Sequence, residues 1–115
     1  VSPTRTVNRA ELHAELAASM TENELLALVV RAAHNAGWAI DHVFEQQHYA
    51  HRTGKGWPDL ILLRDRLLFR ELKSETGRIS ADQQRIIAQL QRAGQDMAVW
   101  RPSDWYSGRI EEELR

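Results

Sequence analysis

The stretch PDLILLRDRLLFRELK, residues 58–73, decides how the chain is read. Its two apolar runs, Leu60-Ile61-Leu62-Leu63 and Leu67-Leu68-Phe69, flank the charged tripeptide Arg64-Asp65-Arg66, which predicts a hairpin of two short strands. Neither run alternates apolar with polar residues. Both strands are therefore expected to be buried on both faces, with helices on each side of the sheet. The open end of the hairpin carries Asp59 where the first strand begins and Glu71-Leu72-Lys73 where the second ends. Strand side chains alternate, so Glu71 and Lys73 share a face, and hairpin pairing brings Asp59 beside them.

Upstream, Thr21-Glu22-Asn23-Glu24 has the pattern of a capping box, and Leu25, Leu28, Val29, Ala32 and Ala33 follow at helical spacing until Gly37 stops the helix. Val7 to Ser19 is compatible with another helix, and residues 1–6 read as frayed. Trp38 to Phe44 reads as a strand and Gln46 to Gly56 as a polar loop. Downstream, Ser80-Ala81-Asp82-Gln83 is a second capping box ahead of Ile86, Ile87, Leu90 and Ala93, with Gly94 as the stop. Met97 to Trp100 is a further strand that Pro102 ends, and Ser103 is placed to cap a short helix running towards Leu114. The order α-β-β-β-α-β-α argues for an α/β fold, a mixed sheet between helices. We read residues 1–20 as an N-terminal arm or helix and 21–115 as a single domain.

The composition is that of one small domain: 115 residues, 43% hydrophobic and without cysteine. Disulfides, thiolate zinc sites and a cysteine nucleophile are excluded. The longest apolar run, the six residues Leu25 to Val30, is far too short to span a membrane. The first residues lack the apolar core of a secretory signal, so the expected address is the cytoplasm. A net charge of −1 hides an uneven distribution: between His51 and Arg92 stand nine basic residues against five acidic ones. Thirteen of the fifteen basic residues are arginine, whose planar fork suits phosphate.

Two carboxylates and an ammonium converging at Asp59, Glu71 and Lys73 form a recognisable chemical set. The acids repel each other unless a divalent cation lies between them, and hard oxygen ligands favour Mg²⁺ or Mn²⁺. Metal, an oriented water and an arginine-rich surround are the equipment for hydrolysing a phosphodiester. The bland alternative is a turn aspartate beside a surface Glu71–Lys73 ion pair, and what counts against it is the placing of Asp59 and Glu71 at the mouth of an apolar hairpin. His48 and His51 flank Tyr49 with a spacing a transition metal could use, but no third soft ligand stands at a fixed offset. His42 shares strand parity with Ile40 and Phe44. The loop residues His51, Arg52 and Lys55 are candidates for phosphate contact, and so is Arg78. Trp57, Trp100 and Trp105 serve packing, base stacking or a dimer surface.

Gly56-Trp57-Pro58-Asp59, then Leu68-Phe69-Arg70-Glu71-Leu72-Lys73, then Gly77-Arg78-Ile79-Ser80 with Gln83, resemble the VRR-NUC branch of the PD-(D/E)xK nucleases over about Thr21 to Pro102. The resemblance implies a restriction-endonuclease-like fold, metal ligation by residues matching Asp59 and Glu71, and a water positioned by Lys73. It also implies that a helix glutamate, here Glu24, and a glutamine, here Gln83, join the site. Each of these is also the N3 residue of a capping box, where it could simply bond back to the backbone. Gln83 shares a helix face with Ile86, Ile87 and Leu90, which turns it towards the sheet. The Leu72 backbone carbonyl is a further candidate ligand. Stand-alone chains this short resemble virus-type junction-resolving enzymes, which would place the protein in an infected cell's cytoplasm and in DNA repair or recombination. Symmetric cutting of a four-way (Holliday) junction requires two sites and hence a homodimer. The alternatives are a flap or duplex nickase with the same chemistry, and a catalytically silent DNA-binding module.

Overall fold

The computed structural model describes residues 6–42 and 55–115. Its elements are α1 (Arg9–Ser19), α2 (Glu22–Asn35), β1 (Ala39–His42), β2 (Leu60–Leu63), β3 (Leu67–Leu72), α3 (Ala81–Arg92), β4 (Asp96–Trp100), α4 (Pro102–Tyr106) and α5 (Arg109–Glu113). One sheet runs in the order β1-β2-β3-β4. The first three strands pair antiparallel, and β4 lies parallel to β3, on the edge opposite β1, because α3 carries the chain back to the end of the sheet where β3 begins. This is a mixed α/β architecture flanked by helices, compatible with a restriction-endonuclease-like fold.

The helix starts follow their sequence signals. Thr21 Oγ1 accepts from the Glu24 amide at 3.1 Å while the Glu24 carboxylate accepts from the Thr21 amide at 3.1 Å, and Ser80 with Gln83 repeats the exchange for α3. Both helices end as expected: Trp38 N–H reaches back to the Ala33 carbonyl, and Gln95 N–H to that of Leu90, across Gly37 and Gly94. The even-numbered side chains of the hairpin, Leu60, Leu62, Leu68 and Leu72, are buried with Trp100 against Leu25, Val29 and Ala33 of α2 and Ile110 of α5. On the opposite face Phe69 and Met97 pack under Ile86 and Leu90 of α3.

Three readings of the sequence need correction. Burial of the hairpin on both faces fails at its turn, where the paired Leu63 and Leu67 are 52% and 36% exposed and lie outside the cluster that Phe69 and Met97 form with Ile86 and Leu90 of α3. The helix expected from Ser103 starts at Pro102, with Arg101 as N-cap, and is broken in two at Gly108, whose φ of 85° lies outside any α-helix. The helix that the sequence allows before Ser19 is present over residues 9–19, capped by Asn8, and it rests on α4 through the buried Ala17 and a His13–Tyr106 ring contact at 5.2 Å. The element order is consequently α-α-β-β-β-α-β-α-α. The first strand is described over Ala39–His42 only, with Ile40 and His42 on the half-buried face; Phe44, His48, Tyr49, His51 and Arg52 lie outside the described residues. No helix among the described residues is long and apolar enough to cross a membrane.

Candidate metal centre

Asp59 lies at the mouth of β2, behind the fully buried Pro58. Leu60 pairs with Arg70, so the next position outward sets Asp59 against Glu71. The Asp59 carboxylate is fixed there by the Leu72 amide, which donates to Oδ2 at 2.9 Å. This bond from the Leu72 N–H holds Asp59 across the hairpin end. Glu71, the one acidic residue of β3, is 2% exposed. Its Oε2 accepts from Gln83 Nε2 at 2.8 Å and lies 3.5 Å from Lys73 Nζ. Its Oε1 is buried with no hydrogen-bond partner.

Gln83 performs both tasks that the sequence leaves open. Its carbonyl oxygen accepts from the Ser80 amide at 2.9 Å, capping α3, while its amide nitrogen holds Glu71. The mouth of β2 and the start of α3 are pressed together at Gly56. A Cβ built there would lie 2.5 Å from the Asp82 backbone carbonyl, so only glycine, with φ at 96°, permits the approach. Lys55 meets the Asp82 carboxylate at 3.7 Å beside it, and Arg78 is exposed on the segment leading into α3.

Glu24 is not part of this cluster. Its carboxylate serves the Thr21 amide, and that hydrogen bond holds its pKa below the usual range. The helix contributes Glu22 instead: Glu22, Asp59 and Glu71 each offer an oxygen, and the three atoms lie within 4.8 Å of one another. The signal for Glu22 was in the helical period. At about 100° per residue it falls on the stripe of Leu25, Val29 and Ala33, whereas Glu24 is turned about 200° away. Burial, then the Asp59 charge, pushes Glu71 up to about 8 against the pull of Lys73. The same two causes raise Glu22, again opposed by Lys73. An acidic cluster with one buried oxygen unpartnered fits a hard divalent cation, which would supply that partner and relieve the repulsion.

The family model for the VRR-NUC domain matches residues 6–104. The chain belongs to this family, and with membership comes a nuclease-type function with DNA as partner. Comparisons with curated proteins and with solved structures gave no match.

Proposed function

We propose that the chain is a divalent-metal-dependent DNA endonuclease hydrolysing phosphodiesters, with Mg²⁺ or Mn²⁺ held by Glu22, Asp59 and Glu71 and the Leu72 carbonyl as a further ligand. The observation carrying this reading is the unpartnered, buried Glu71 Oε1 within the three gathered carboxylates. The cation, when bound, supplies charge stabilisation at the phosphate oxygens as negative charge builds there. The protein's own groups do the rest. Lys73 donates to a water and aligns it with the scissile bond, while Gln83 keeps Glu71 turned into the cluster. Water oxygen bonds to phosphorus as the bond to the 3′ oxygen breaks, and the proton given up by water is made up on that oxygen. The products are a 5′-phosphate and a 3′-hydroxyl. Lys55 and Arg78, with His51 and Arg52, contact phosphates flanking the cut.

The favoured substrate is branched DNA, with a four-way junction cut by a homodimer because one compact site cuts one strand at a time. Labelled four-way junction, flap and linear duplex, incubated in Mg²⁺ or Mn²⁺, test this directly. Wild type is expected to cut junctions symmetrically, and Asp59→Ala and Lys73→Ala to lose about 10²-fold or more. Equal cutting of all three substrates would keep the nuclease and discard junction resolution. Tight DNA binding that ignores Mg²⁺, with no cutting, would identify a silent binding module. Monomer by light scattering with DNA present would count against a resolvase.

A further inference from the structure

Lys73 and Gln83 grip the same oxygen of Glu71 from the two ends of one connecting segment. That segment leaves β3 after Leu72 and joins α3 at Ala81, with neither sheet nor helix ladder to fix its path. Its path nevertheless sets where both grips fall, and therefore which Glu71 oxygen is occupied and which is left free.

The segment is fastened by one side chain. Arg101 Nη1 donates to the carbonyls of Ser74, Glu75 and Gly77 at 2.7, 3.2 and 2.8 Å. Three carbonyl dipoles aimed at one point repel each other unless a cation lies among them, so the guanidinium holds the turn closed. The turn is also tight: Gly77 N–H donates to the Ser74 carbonyl at 3.2 Å, and a Cβ at Gly77 would lie 2.9 Å from Ser74 Oγ and 3.6 Å from Lys73 Cδ. The turn therefore runs close to the stem of Lys73, with no room for a side chain at Gly77. Arg101 is anchored in turn, because its own amide donates to Asp104 Oδ2 at 2.8 Å and the preceding Trp100 carbonyl accepts from the Lys73 amide at 3.1 Å. Ser103 N–H adds a bond to Glu75 Oε1 at 3.0 Å.

We propose that Arg101 is a positioning residue for the metal centre: it clasps the 74–77 turn so that Lys73 and Gln83 both meet Glu71 Oε2 and leave Oε1 for the cation. The proposal rests on the metal-centre reading above. A built-in control exists at the far end of the hairpin, where Arg64 likewise gathers three carbonyls, those of Ala36, Leu114 and Arg115. The test compares Arg101→Ala, Arg101→Lys and Arg64→Ala with wild type, using the Gln83 side-chain amide resonances of the metal-free protein and the kcat and KM for labelled DNA.

Arg101→Ala is expected to move the Gln83 amide resonances towards those of a free amide and to lower kcat about tenfold or more, with KM within about twofold. Arg101→Lys, whose ammonium can donate to three carbonyls from one nitrogen, is expected to recover most of both. Arg64→Ala is expected to lower the melting temperature and leave both readouts in place. Unchanged Gln83 resonances in Arg101→Ala would overturn the proposal, as would an equal kcat loss in Arg64→Ala or a rise in KM alone. Should Arg101→Ala not fold, Arg101→Gln carries the same comparison with similar bulk and no charge. If wild type cuts no DNA, the nuclease reading fails, while the Gln83 resonances still decide the role of Arg101.

Discussion

Glu71→Gln is expected to abolish metal-dependent cleavage and, in the metal-free protein at pH 8, to raise the melting temperature. The loss of activity should be about 10³-fold, because in the proposed site Glu71 is a buried ligand of the cation and that charge stabilisation is removed with it. The gain in stability follows from linkage. Glu71 has a folded-state pKa of about 8 against an ordinary value of 4.5, so the folded state binds the proton more tightly than the unfolded one. Its contribution is fully present below pH 4.5 and is lost as pH rises through about 8. Metal-free wild type should therefore melt lower at pH 8 than at pH 5, a trend that the raised Glu22 reinforces. Glutamine mimics the protonated form, so the variant should match wild type at pH 5 and exceed it by on the order of 5 °C at pH 8. Millimolar Mg²⁺ should remove that advantage by stabilising wild type alone. Thermal melts at the two pH values, with and without Mg²⁺, check all of this; equal melting temperatures at pH 8 without metal would show that the buried charge is not strained.

The second large effect is expected at Arg70, the strand neighbour of Glu71 that points to the other face. Arg70 is 1% exposed, its Nη1 donates to the Phe69 and Asp96 carbonyls at 2.9 and 2.8 Å, and its Nη2 reaches Asp96 Oδ1 and Glu113 Oε1, both at 2.9 Å. Its guanidinium lies 5.0 Å from the ring centre of the fully buried Trp100. Trp100 Nε1 donates to the same Glu113 oxygen at 3.1 Å. Burial pushes Glu113 up, but Arg109, Trp100 and Arg70 together hold it below the usual carboxylate range. Arg70→Ala opens a cavity beneath Trp100 and strips Glu113 of a buried partner. The lost packing of the buried stem and the lost bonds to charged groups cost about 2–4 kcal/mol, roughly 10 °C in melting temperature for a domain of this size. Arg70→Met should lose less than Arg70→Ala, because its bulk fills part of the space beneath Trp100 while Glu113 keeps Arg109 and Trp100 as partners. A change below about 1 kcal/mol on Arg70→Ala would mean that the network is peripheral to the fold.

What the sequence shows and what it hides divide along physical lines. Capping boxes, glycine stops and the apolar hairpin depend on neighbours within a few residues, so Thr21, Ser80, Gly37 and Gly94 could be read directly. The facing of Asp59 and Glu71 was legible too, because strand alternation and one short turn determine it. Exposure of Leu63 and Leu67 was not, since it depends on where α3 comes to rest over the sheet. Glu22 was within reach of the helical period, but the capping pattern drew attention to Glu24 two residues on. Arg70 and Arg101 carried no signal. Arg70 reads as an interruption of an apolar strand until Glu113, 43 residues away, is beside it. Arg101 binds backbone carbonyls, which every residue possesses.

In the proposed metal centre the carboxylates of Glu22, Asp59 and Glu71 together hold the cation on which cleavage depends. The most direct test of this is the Mg²⁺ dependence of DNA cleavage in Glu22→Gln beside Glu24→Gln, two variants on the same helix turn. Glu22→Gln should require about tenfold or more additional Mg²⁺ and cut more slowly even at saturation. Glu24→Gln, which retains an oxygen for the Thr21 amide, should cut like wild type. The reverse order, or cleavage by wild type that is indifferent to Mg²⁺, would contradict the account.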